Sequence, residues 1–124
     1  MGSGIAVLLL TARLLPPSST GLGTHQALGL PPCTLRVLAG IRCPACGMTT
    51  SWSHFMRGEW SRSFSANSGG FLLAGYSLVA IATCVLAGVR GWPLRVPNLQ
   101  SMTIALLVIV AITMVDWSIR LAAP

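Results

Sequence analysis

The residues best suited to chemistry carry sulfur and lie close together: Cys33, then Cys43-Pro44-Ala45-Cys46-Gly47. A Cys-x2-Cys turn sets two sulfurs where they chelate one ion. The glycine after it permits a positive φ, so backbone N–H groups can point at the thiolates. A tetrahedral site requires four ligands. Cys33 is the candidate third, and His54, eight positions after Cys46, the candidate fourth, with His25 as an alternative. One expectation is therefore a metal site built from Cys33, Cys43, Cys46 and His54, with zinc as its ion. A second puts the same turn to thiol–disulfide exchange. At a helix N-terminus the helix dipole lowers the pKa of the first thiol, so Cys43 would attack and Cys46 resolve. A third is a tight turn in which the cysteines only pack. For either histidine, an ordinary hydrogen-bonded ring is the commoner outcome. No Ser-His-Asp set, carboxylate pair or Gly-rich phosphate loop is visible, and two acids in the whole chain leave little for general acid–base catalysis. The expectation is a protein without catalytic or organic-cofactor residues, leaning away from an enzyme.

These residues must be positioned by a chain of 124 residues that is 53% apolar and only 8% charged. A soluble domain carries about 25% charged residues, so a membrane protein is the better reading. Residues 63–89 and 96–115 contain no Asp, Glu, Lys or Arg. A helix of about 20 residues crosses the roughly 30 Å hydrocarbon layer, and apolar residues occupy nearly every face of 69–89 and 99–119. Cys84 lies within the first of these and reads as a small apolar filler. The net charge of +6 comes from eight basic residues, all Arg. No Arg run and no aromatic stacking motif accompanies them, which argues against nucleic acid and for Arg at lipid headgroups.

Around the spans, residues 4–15 are apolar but short and contain Arg13. They read as a short or clipped first helix, with Met1 not necessarily the natural start, rather than as a cleaved signal. Pro16-Pro17 ends this segment, and 16–32 reads as an irregular connection. Residues 33–39 suit two helical turns stopped by Gly40. A helix is expected over 48–57, with Met48, Trp52, Phe55 and Met56 on one face and Gly58 closing it, and a shorter one over 59–66. This amphipathic stretch suits the headgroup level, where Trp52 and Trp60 keep their indole N–H groups wet. The connection 90–98 is too short for anything but an antiparallel hairpin. Asp116 and Arg120 are spaced to pair at i,i+4 near the interface. Counting Arg places Arg36, Arg42, Arg57, Arg62 and Arg120, with Arg13, on one side and Arg90 and Arg95 on the other. That count favours a cytoplasmic cysteine segment, although Arg90 and Arg95 sit in the short loop, where the rule is most reliable.

The run Gly40-Ile41-Arg42-Cys43-Pro44-Ala45-Cys46-Gly47-Met48-Thr49, followed by Arg57-Gly58-Glu59 and Phe64-x-x-Asn67, resembles a bacterial family of small membrane proteins, the domain of unknown function 2752. The likeness covers roughly residues 30–119. Thr50 stands where that family commonly has Arg, and Ser68 where Pro often follows the Asn. The resemblance implies a membrane location and a helical fold; it supplies no activity.

The expected architecture is all-α and integral to the membrane, a single domain over 1–124. Two transmembrane helices (69–89 and 99–119) form an antiparallel hairpin, joined by the short N-terminal hydrophobic helix (4–15) and a Cys-bearing interfacial amphipathic segment (33–67). The expected role is a multi-pass accessory or assembly component of the cell membrane with a structural Cys-Pro-x-Cys-Gly turn; the alternative is a membrane thiol oxidoreductase using Cys43 and Cys46. Expected partners are membrane lipids and another membrane protein or a second copy, and no nucleic acid.

Overall fold

A computed structural model describes residues 2–20, 22–91, 93 and 98–122. It contains six α-helices among these residues: α1 (Gly2–Leu14), α2 (Thr34–Ala39), α3 (Met48–Met56), α4 (Trp60–Ala66), α5 (Ser68–Arg90) and α6 (Leu99–Ala122). A 3-10 helix, Thr24–Leu28, interrupts the first connection, which sequence reads as irregular throughout. It is anchored by Thr24, whose hydroxyl pairs with that of Thr50 at 2.7 Å and accepts from the Ser18 N–H. No strand occurs among the described residues. Most of the second connection, Arg95 included, lies outside the described residues.

Helices α5 and α6, of 23 and 24 residues, are long and apolar enough to cross a membrane. Only 11% and 6% of their most apolar windows are buried by protein. A core helix of a soluble domain would be covered; here Val79, Val85, Leu107 and Val115 point outward instead. Cys84 is also exposed on α5. The two helices meet near the start of α5 and in the second half of α6, where a Cβ on Gly69 would fall 1.8 Å from the Thr113 hydroxyl. Close backbone approach at a small residue is a common way for membrane helices to associate without a hydrophobic driving force between them.

The short helices gather at this same end of the hairpin. Helix α3 packs on α1, α4 and α5, and the face it turns to them is polar. Its apolar arc of Met48, Trp52, Phe55 and Met56 is only half-buried, whereas Thr50, Ser51, Ser53 and His54 face inward. The polar inward face has a physical reason. Small hydroxyl side chains let neighbouring helices come close, and each finds a partner. Ser51 pairs with Ser63 at 3.0 Å and donates to the Asn67 carbonyl. Ser53 donates to the Leu15 carbonyl at 2.8 Å. Trp52 does not keep its indole N–H in water; it donates to the Gly70 carbonyl at 3.0 Å. Trp60 does remain exposed. The end of α1 is tied down by cations: Arg57 donates to the Arg13 and Leu15 carbonyls, and Arg13 donates to the Met56 carbonyl. Arginine is suited to closing the unpaired carbonyls of a helix C-terminus.

Candidate metal centre

Three thiols converge on the face of this helical cluster. Cys33 precedes α2 and caps it: its carbonyl accepts from the N–H groups of Arg36 and Val37 at 3.0 and 3.1 Å. Ten residues later the chain turns back. Cys43 and Cys46 close a tight turn through the bond from the Cys46 N–H to the Cys43 carbonyl, 3.0 Å. Gly47 then adopts φ 85°, a conformation that disfavours a side chain, and its carbonyl accepts from Ser51 as α3 begins. The Sγ atoms of Cys33, Cys43 and Cys46 all lie within 4.8 Å of one another, and the Cys43 and Cys46 sulfurs are 3.3 Å apart. Sulfurs bound at about 2.3 Å to one tetrahedral ion sit about 3.8 Å apart. The Cys43–Cys46 pair is closer than that and no pair is farther apart than 4.8 Å, so the three sulfurs are near enough to share one ion.

The thiols are not equivalent. The backbone N–H of Arg36, and after it the thiol of Cys43, hold Cys33 below the usual cysteine range. Burial, reinforced by hydrogen bonds with Cys46 and Cys33, pushes Cys43 up to about 11. Of these two thiols Cys33 is therefore the readier to ionise. A raised pKa does not suit Cys43 to the attacking role expected for thiol exchange. Helix α3 starts at Met48, two residues beyond Cys46, so Cys43 gains no helix terminus, while Cys33 caps α2.

A frame of hydrogen bonds fixes the turn to the long helices. The Asn67 side chain donates through Nδ2 to the carbonyls of Pro44 and Cys46, at 3.0 and 3.2 Å. Its Oδ1 accepts from the Gly70 N–H at 2.7 Å, capping α5. From α6, the Trp117 indole donates to the Arg42 carbonyl. Arg120 pairs with Asp116 at 2.9 Å, as the i,i+4 spacing anticipates, and donates to the Ser65 carbonyl. Between the turn and the end of α6 lies a cleft of about 430 Å³, lined by Arg42, Cys43, Cys46, Asn67, Asp116, Trp117 and Arg120.

Of the four residues expected to bind metal, three are brought together. His54 is not grouped with them. Its buried ring shares a 2.6 Å hydrogen bond through Nδ1 with Glu59, which also meets Arg62 at 3.4 Å. His54 lines a different cleft, beside Ser18, Thr20, Ser61 and Ser65. His25 lies on the 3-10 helix and is likewise outside the thiol group. Asn67 is the positioning residue that chemistry-first reading passes over. Its signal was the N-cap pattern, an Asn directly before an apolar helix.

Two positions where the sequence departs from the resembled pattern are now explicable. Thr50 is fully buried against Thr24, which leaves no space for an arginine. Ser68 opens α5, the first helical position, where proline is well tolerated. Residues 33–81 match the family model described as protein of unknown function (DUF2752). No curated protein and no solved structure matches the chain.

Proposed function

We propose, from the premise that residues 33–81 belong to the DUF2752 family, that the protein is a multi-pass accessory or assembly component of the cell membrane, non-enzymatic, whose cysteine turn is organised by a thiolate-bound metal ion. The observation that carries this reading is the convergence of three sulfurs from two segments, held by an asparagine that also caps a membrane-length helix. Thiolates crowded this closely repel one another unless a cation sits among them. Zinc is the ion the Cys-x2-Cys turn first suggests. Lipid covers α5 and α6 in this reading, and the remaining exposed surface of the short helices meets another membrane protein or a second copy. The test is elemental analysis of the full chain purified in detergent under reducing, metal-replete conditions. One equivalent of bound metal is expected in the parent and near zero in Cys43→Ser; a parent without metal sinks the reading.

A second reading is favoured by the 3.3 Å approach of Cys43 and Cys46. As a thiol oxidoreductase, the pair would give two electrons and two protons to a substrate disulfide and close into a disulfide of its own. Alkylation and mass spectrometry on oxidatively stressed cells would find that bond; its consistent absence rejects this alternative.

A further inference from the structure

We infer that the three sulfurs form an open, three-coordinate site for a soft monovalent ion of the copper(I) class, loaded and unloaded through the cleft at the end of α6. This inference rests on the metal reading above and goes beyond it in naming the ion and its exchange. The ligand inventory is the first argument. Among the described residues, the donors grouped with one another are Cys33, Cys43 and Cys46. The side chains that sequence offers as a fourth are engaged or distant. His54 holds Glu59 and faces the other cleft. Asp116 is bound by Arg120. Cys84 lies exposed on α5. Structural zinc sites are closed by four protein ligands, whereas copper(I) is selected by soft thiolates and needs no fourth.

Charge and access point the same way. Three thiolates around a monovalent ion carry two net negative charges, and the adjoining cleft is lined by Arg42 and by the ion-paired Arg120 and Asp116, a lining of net positive charge. Cys43 and Cys46 open onto that cleft, whose volume of about 430 Å³ far exceeds what an ion requires. It admits an incoming thiol. Transfer then proceeds by ligand exchange at constant oxidation state: the incoming thiolate bonds to copper, one cysteine–copper bond breaks, and the freed cysteine takes up the proton the incoming thiol gave up.

The experiment uses the full chain in detergent, reduced and anaerobic, offered copper(I) or zinc(II) separately and passed through gel filtration. X-ray absorption reads the shell of whatever metal remains. The expected result is one copper per chain with three sulfur neighbours, and zinc lost in the same step. Cys33→Ser, Cys43→Ser and Cys46→Ser each lose the copper. His54→Ala and Cys84→Ser retain it, and helix content by circular dichroism reports whether each variant is folded. Zinc retained in a four-coordinate shell, or copper retained by a folded Cys33→Ser protein, overturns the inference while the metal reading stands. If neither metal is retained, both fall.

Discussion

At the scale of single residues, the polar side chains inside this small cluster are arranged in pairs, and the His54–Glu59 pair has a measurable consequence. The hydrogen bond from His54, and secondarily the charges of His54 and Arg62, hold the Glu59 carboxyl below its ordinary 4.5. A carboxyl whose folded pKa is depressed stabilises the fold above its unfolded value, and that contribution is lost as pH falls through the folded pKa. Unfolding in detergent followed from about pH 6 to about pH 3 should therefore show stability declining below about pH 4.5. Glu59→Gln should flatten the decline; an unchanged slope would mean other groups set it. The cysteines were legible in sequence because Cys-x2-Cys spacing is itself a geometric statement. Whether His54 joins them was not. His54 sits at a reachable distance along the chain, yet its partner is Glu59, five residues on, and the rotation of α3 decides between the two. The cap of α5 by Asn67 was open to a local pattern, an Asn directly before an apolar helix, but its second set of bonds reaches back more than twenty residues to the carbonyls of Pro44 and Cys46, which no local pattern reports.

At the scale of elements, the helix boundaries follow the chain's own punctuation. Gly40, Gly58 and the pair Pro16-Pro17 each fall where a helix ends. Periodicity located the apolar arc of α3 but not the face that packs on its neighbours, because small hydroxyl residues do the close packing and larger apolar ones face partly outward. The α5–α6 contact tests this close-packing logic. Gly69→Ala places a methyl against Thr113, whose hydroxyl and Cβ would lie 1.8 and 2.8 Å away. Overpacking of this kind costs about 1–3 kcal/mol. Thr113→Ala in the same chain removes the hydroxyl and should recover part of the loss in thermal or detergent-induced unfolding; no recovery would place the strain elsewhere. At the mouth of α5, Ser68 has the opposite potential. Its buried hydroxyl has no hydrogen-bond partner among the described residues, and the preceding Asn67 is already extended, at φ −164° and ψ 112°. An extended residue before it and a first-turn position suit proline. Ser68→Pro should stabilise by about 0.4–1 kcal/mol, measured by the same unfolding assay; a destabilised variant would show that the ring does not fit.

At the scale of the whole molecule, the described arginines divide unevenly. Contacts join Arg13 to Arg57, Arg62 to Glu59, and Arg120 to Ser65 at the cysteine end of the hairpin, and Arg36 and Arg42 flank the thiol turn. Arg90 closes the opposite end of α5. Cationic loops are retained on the cytoplasmic side, and that compartment keeps thiols reduced. A membrane-impermeant thiol reagent added to intact cells should therefore leave Cys33, Cys43 and Cys46 unlabelled and react with them only after permeabilisation. Labelling without permeabilisation would invert the orientation. The hairpin was readable from two charge-free stretches alone, because a bilayer imposes a length and a polarity that composition reveals directly. The packing of the short helices against its base was not, since it depends on bonds between distant segments.

The double engagement of Asn67 also sets an order of events during biosynthesis. All three sulfurs leave the ribosome before the side chain that clamps their turn, and before the Trp117 indole that holds Arg42 from the last helix. The frame around the pocket is thus finished only after α6 has been made and has packed against α5, so in the copper reading the ion would be captured by mature protein and not by nascent chains. Ribosome-bound chains stalled ahead of α6 should retain little copper compared with released ones; equal retention by stalled chains would show that the turn is complete without its frame.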